Sequence, residues 1–227
     1  ARGAASRRNR AEGALAGGLA RAGASSIAMI SNTRCGAARD FLKASFPDLA
    51  WRFIVEDTAS SWESFRLVAR SLSDEPDFVI STADALVPPE KTARFIREMR
   101  RLKASCGLGL TDFIDDEKPL WAALGADASI RSLGEGCSVR RWATAGLYYM
   151  TGARARALPS AAAHRSLRWF LAAEAGLGSV RGWCLGKTVD VDRPEDVKTA
   201  EQFIKENFMR RRSAPTAARP WPKGKRR

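Results

Sequence analysis

Residues 77–86 read DFVISTADAL. An apolar run of strand length ends in Ser81 and Thr82 and hands the chain on to Asp84, a carboxylate just past the strand's carboxyl end. Open α/β sheets place their ligands at that edge, and a carboxylate there reaches a cation without burying its own charge. Taken alone, an aspartate after a strand is more often a turn or helix-cap residue, so the neighbouring elements have to decide its role.

Outward from this stretch the chain alternates. SSIAMIS (25–31), WRFIVE (51–56) and SCGLGLTDF (105–113) are apolar runs of strand length. Helical composition falls between them: GALAGGLARAG (13–23), the amphipathic 37–46 closed by Pro47, 61–72 and 89–102. Strands alternating with helices of this length predict right-handed crossovers and an α/β fold with a doubly wound, mainly parallel (mixed) sheet and helices on both faces. From Pro119 the rhythm changes to PLWAAL, SIRSL and ATAGLYYM, three strand-like runs joined by Gly and Asp turns, which are expected to cover the sheet's open end. Helices at 152–163 and 165–175, strands in SVRGWCL and TVDV, and a helix over 194–208 complete the expected order. That last helix has Pro194 at its first position and Glu195 and Asp196 in its first turn, where the dipole favours acids.

The chain has 227 residues, 45% of them apolar, enough for one core rather than two. Its formal net charge of +13 is concentrated at the ends. Eight Lys or Arg lie in 209–227 and four Arg in 1–11, and removing these twelve cations leaves +1 for residues 12–208. The expected organisation is a basic flexible arm (1–12), one domain (13–208) and a basic disordered tail (209–227), whose Pro-containing, cationic sequence buries too little to offset its ordering entropy. Such a tail contacts polyanions weakly and without sequence preference. Cys35, Cys106, Cys137 and Cys184 form no CxxC pair, which argues for reduced thiols rather than zinc or a disulfide framework. No run approaches the roughly 20 apolar residues of a membrane span, and a cytoplasmic location is the expectation.

A second chemical feature is KTVDVDRPEDVKTAEQF (187–203), where Asp190 and Asp192 share one face at the end of an apolar strand. Asp192 also suits a helix cap. Carboxylates delivered from two strands match Mg²⁺, which keeps several waters and takes one or two protein oxygens plus substrate phosphates.

DFVISTADALV, TDFIDDEKPLWAAL, WATAGLYYM and TVDVDRPEDVKTAEQF occur in the order seen in the sugar-phosphate nucleotidyltransferases, which this chain resembles over about residues 14–208. The resemblance implies a glycosyltransferase-A-like fold and transfer of a nucleoside monophosphate from a nucleoside triphosphate to a sugar 1-phosphate or similar acceptor, with release of pyrophosphate. It makes Asp84 the first metal-binding aspartate and Asp190 the acid of the family's D-x-G-T-P-E pattern, holding Mg²⁺. It further implies that Thr58, Ser60 and Ser61 lie against the base, that backbone at Gly146 approaches the sugar, and that Glu117 and Lys118 belong to the pocket, Lys118 near the chemistry. Serine and threonine ahead of a helix also serve as caps, and Glu117 and Lys118 equally suit an open surface.

The sequence departs from the family in one place. Ahead of the first helix it reads ARGAASRRNRAEGALAGG, without the apolar strand and glycine-rich loop whose amides hold the triphosphate. Arg7, Arg8 and Arg10 supply charge there but no preorganised cradle. Two alternatives therefore stand beside the transferase: a noncatalytic or N-terminally shortened relative that binds a nucleotide or nucleotide-sugar, and a basic nucleic-acid-binding protein. The lone histidine, His164, sits in a helical context with no pattern of a triad around it.

Overall fold

A computed structural model describes residues 2–114, 118–191 and 196–208, with side chains from Glu12 onward except that of Val197. Glu117, Asp192, Pro194, Glu195 and the tail 209–227 lie outside the described residues. The first helix, α1 (Arg2–Arg21), begins earlier than the sequence reading expected, so the segment read as a flexible arm is helical from Arg2. Ala and Arg, both strong helix formers, dominate it. Gly23, at φ 108°, stops it, with the Ala24 N–H reaching back to the Leu19 carbonyl.

Strands β1 (Ser26–Ser31) and β2 (Ala50–Val55) pair in parallel, from Ser26 opposite Ala50 to Ser31 opposite Val55, and α2 (Gly36–Ser45) connects them. Helix α3 (Ser61–Ser71) opens on a reciprocal cap. The Ser60 hydroxyl accepts from the Glu63 N–H at 3.1 Å, and the Glu63 carboxylate accepts from the Ala59 N–H at 2.8 Å. Trp62, Phe65, Val68 and Ala69 then recur at helical spacing on its buried face. After β3 (Asp77–Ser81) and the two-residue β4 (Ala85–Leu86) comes α4 (Pro89–Arg101). Proline at its start, Glu90 in its first turn, and Arg100 and Arg101 in its last suit both dipole ends.

The remaining elements are β5 (Cys106–Thr111), β6 (Trp121–Leu124), β7 (Ile130–Leu133), β8 (Trp142–Thr151), α5 (Gly152–Arg156), α6 (Leu167–Gly176), β9 (Val180–Cys184), β10 (Val189–Asp190) and α7 (Asp196–Asn207). Strand β8 is the hub of the larger sheet. It runs antiparallel to β5 along one edge, and its other edge is shared by β6 at Trp142–Ala143 and β3 at Leu147–Thr151. Because β9 is parallel to β5, strands β3, β5 and β9 all point the same way. The fold is thus mixed α/β, with parallel pairing confined to β1–β2 and β5–β9 among the described residues. The helix expected over 152–163 is broken: α5 ends at Arg156 and only a 3-10 turn, Ala161–Ala163, follows. Pro159 between them accounts for this, since proline pushes its predecessor out of the α region.

Adjacent residues of β8 mark the two faces of the sheet. The ring of Tyr148 meets Phe65 of α3 edge-on at 5.6 Å, and the ring of Tyr149 meets Phe95 of α4 at 6.5 Å. Helices α3 and α6 cover the first face; α4 covers the second, and α1 packs beside α4. The helix layer lies so close to β5 that a Cβ at Gly107 would stand 2.3 Å from the Met99 sulfur. A side chain there would force Met99 to move.

Candidate functional site

The carboxyl ends of β3, β5 and β9 lie along one edge of the sheet, and the chain leaves β3 there through Thr82, Ala83 and Asp84 before turning into β4. That turn is pinned from two sides. The Thr82 N–H donates to the Gly146 carbonyl at 2.9 Å, and the Val191 N–H donates to the Asp84 carbonyl at 3.1 Å. Strand β10 pairs antiparallel with β4, setting Asp190 opposite Ala85, the residue after Asp84. Two aspartates separated by more than a hundred residues of sequence are thus brought to the same end of the β4–β10 pair, Asp84 in the turn before β4 and Asp190 in β10. Asp84 is half-buried and Asp190 exposed. The buried Tyr148 phenol has its pKa raised above its ordinary range, through burial first and through the charges of Asp84 and Asp190 second.

Gly146 belongs to the same group, for a reason different from the expected one. Its φ is +66°, and a Cβ on it would lie 2.4 Å from the Thr82 hydroxyl and 2.7 Å from the Ala85 side chain. The space beside this glycine is filled by the turn that carries Asp84, so Gly146 lets that turn sit flush on β8. It falls where β8 carries extra residues relative to β5, between the pairs Leu108–Tyr148 and Leu110–Thr144.

Of the other expected residues, Ser61 lines the same cavity as Thr82 and Ala83. Thr58 and Ser64 share a hydroxyl–hydroxyl hydrogen bond of 2.5 Å, Ser60 caps α3, and the Ser61 hydroxyl accepts from the Leu167 N–H at 3.1 Å. All three hydroxyls are thus engaged in starting α3 and tying it to α6. Lys118 is exposed on the β5–β6 connection, where its carbonyl accepts from Arg168. His164 packs edge-on against Trp62 at 5.3 Å and Phe170 at 5.5 Å, an aromatic core contact. Cys106 and Cys137 are buried, and all four cysteines are free.

Two groups at this edge went unnoticed in the sequence. Tyr148 is one; its position two residues from Gly146 in an alternating run was the available signal. Lys91 is the other. It is half-buried, its amine is pushed down chiefly by desolvation, and it lies where a Cβ on Gly186 would be 3.1 Å from Nζ. A cation in the first turn of α4 opposes the helix dipole, and that mismatch was readable. Among the described residues no cluster of three or more His, Cys, Asp or Glu could hold a metal. A pair of carboxylates still fits Mg²⁺, whose remaining positions go to water and substrate phosphate.

The architecture matches solved structures closely over most of its length. The inositol-1-phosphate CTP transferase from T. maritima superposes with a TM-score of 0.68 at 15% identity, over 82% of this chain and 78% of that one. HddC from Yersinia pseudotuberculosis gives 0.63 at 17% identity, over 82% of each chain. A protein described as a glucose-1-phosphate thymidylyltransferase from Bacillus anthracis, solved with a sucrose, gives 0.67 at 15%, over 84% of this chain and 80% of that one. The chain has the sugar-phosphate nucleotidyltransferase fold. No family model and no curated protein matches the sequence. Among the described residues no helix is long and apolar enough to cross a membrane.

Proposed function

We propose that this chain acts as a nucleotidyltransferase, moving a nucleoside monophosphate from a nucleoside triphosphate to a sugar 1-phosphate or similar phosphorylated acceptor and releasing pyrophosphate. The observation that supports this is the pairing of β10 with β4, which sets Asp190 opposite Ala85, the residue after Asp84, at the carboxyl edge of a sheet with this fold. Asp84 and Asp190 would hold Mg²⁺, which when bound neutralises phosphate charge. Gly146 positions the Asp84 turn against β8, and Lys91 adds a cation at the same edge. In the reaction an ionised oxygen of the acceptor phosphate bonds to the α-phosphorus while the bond to the β-phosphate oxygen breaks, and both electrons of that bond leave with pyrophosphate. No side-chain nucleophile or proton transfer is needed, so positioning and charge neutralisation supply the rate.

A second reading, a nucleotide- or nucleotide-sugar-binding relative without turnover, rests on the engagement of Thr58, Ser60 and Ser61 in the start of α3. Pyrophosphate release in Mg²⁺ with each nucleoside triphosphate and a panel of sugar 1-phosphates separates the two. The transferase reading expects release with one combination, reduced roughly 100-fold or more by Asp84→Asn and by Asp190→Asn while circular dichroism is unchanged. Binding without release supports the second reading, and release undiminished in both variants removes these aspartates from the chemistry.

A further inference from the structure

The carboxyl ends of β5 and β9 carry a phenyl ring and two ammonium groups gathered around one glycine. A buried threonine sets them. The Thr111 hydroxyl, at the end of β5, donates to the Gly186 carbonyl at 2.9 Å and accepts from the Phe113 N–H at 3.1 Å. The segment bearing Phe113 and the segment bearing Lys187 are thereby tied together. Lys187 lays its ammonium 4.6 Å from the centre of the Phe113 ring. Part of that ring stays open to water, since Phe113 is 41% exposed. Helix α4 brings Lys91 to the same glycine. Gly186, at φ +67°, has no side chain to keep it out, and a Cβ there would stand 3.1 Å from the Lys91 Nζ. Burial lowers the pKa of the Lys91 amine, and the nearby Cys184, Glu90 and Asp112 raise it in part. Asp190 follows Lys187 by three residues, on the order of 10 Å of extended chain.

We propose that Phe113, Lys187 and Lys91 seat the acceptor, and that the acceptor is a ring phosphate, a pyranose or cyclitol 1-phosphate, rather than an open-chain phosphorylated alcohol. The proposal rests on the transferase reading and narrows its substrate. A six-membered ring in the chair form presents a face of C–H groups as well as its hydroxyls. That face covers an aromatic ring, while the hydroxyls stay in water or meet the exposed Asp112 carboxylate. The acceptor's phosphate is anionic near neutral pH, and lysine ammonium groups serve it as point charges that adapt to its position. Glycerol phosphate carries the same charge but has no ring face to lay on Phe113. The phenyl ring thus decides which acceptor is taken, and the lysines require that it be phosphorylated. A phenylalanine standing alone on a surface needs no explanation. This one is fixed by a buried threonine, flanked by an ammonium group and set at the edge where open α/β sheets take their ligands.

The test footprints the lysines of the full chain by acetylation with N-hydroxysulfosuccinimide acetate, read by mass spectrometry. Mg²⁺ and the α,β-methylene analogues of the nucleoside triphosphates are present; these analogues cannot release pyrophosphate. Glucose, galactose, mannose and N-acetylglucosamine 1-phosphates and inositol 1-phosphate are each compared with glycerol 3-phosphate. At least one ring phosphate is expected to slow acetylation of Lys91 and Lys187 tenfold or more while leaving Lys43 of α2 unchanged. Glycerol 3-phosphate is expected to protect neither. Phe113→Ala, checked for folding by circular dichroism, is expected to raise the half-protecting concentration at least tenfold. No protection of Lys91 and Lys187 by any ring phosphate would overturn the inference. Equal protection by glycerol 3-phosphate, or protection as strong in Phe113→Ala, would overturn it as well. The transferase reading fails differently, with no triphosphate bound and no pyrophosphate released, so the two failures are told apart.

Discussion

Strands β5 and β1 have the same length and comparable apolar sequences, CGLGLT and SIAMIS, yet all six residues of β5 are buried and none of β1 is. The difference lies in their neighbours. Strand β5 has β8 on one edge, β9 on the other and helices over both faces. Strand β1 has β2 on one edge and, among the described residues, no strand on the other. Burial is a property of the strand's place in the sheet rather than of its own residues.

Substitutions can break or sharpen this contrast. The largest effect is expected at Leu108 of β5, which is wholly buried. Leu108→Ala should lower unfolding stability by about 2–5 kcal/mol in urea titration, from lost burial plus the cavity left behind. Gly146→Ala is expected to come next, at about 1–3 kcal/mol, because it forces a left-handed backbone on a residue with a side chain and crowds Thr82. The same change should disturb the Asp84 turn, read as a loss of nucleotide binding larger than the loss of stability explains. Met29→Ala in β1 should cost less, about 1–2 kcal/mol, since Met29 is only partly buried. A loss at Met29 as large as that at Leu108 would mean that β1 is fully covered in solution, and the contrast would fail.

The smallest effect lies at Asp77, the first residue of β3. Arg100 donates to both oxygens of Asp77 at 2.7 Å and the Tyr149 hydroxyl donates to the same carboxylate at 2.9 Å. The Arg100 hydrogen bonds hold the Asp77 carboxyl below its usual range, working against its burial. A depressed carboxylate stabilises the fold fully above its unfolded pKa of about 3.9 and loses that contribution as pH falls through the lower native value. Arg100→Met should therefore cost about 0.2–1 kcal/mol at neutral pH, discounted for the exposure of Arg100. The gap from the parent protein should close below about pH 4.

Most of the fold was legible because hydrophobic period and punctuation are local signals. The strand expected at 77–82 is β3, the helix expected at 89–102 is α4, and ATAGLYYM lies within β8, all within a residue or two. The sheet's long-range pairing was not legible. Nothing local to ATAGLYYM says that it runs antiparallel to three strands at once, or that β1 has only one partner. At the candidate site, Asp84 and Asp190 stood out because each comes at the end of an apolar strand, and the β4–β10 pairing sets Asp190 opposite the residue after Asp84. Thr58, Ser60 and Ser61 drew attention by composition, but helix starts use the same residue types, and here all three are bonded in starting α3. Gly146 was singled out for close approach, and the close approach is real; its partner is Thr82, which lies far away in sequence.

Isothermal titration of the chain with each nucleoside triphosphate in Mg²⁺, run beside Asp84→Asn, tests the central claim most directly. The account predicts saturable binding of one triphosphate, weakened tenfold or more by the substitution, about 1.4 kcal/mol. Binding of equal strength in the two proteins, or of no triphosphate at all, would contradict it.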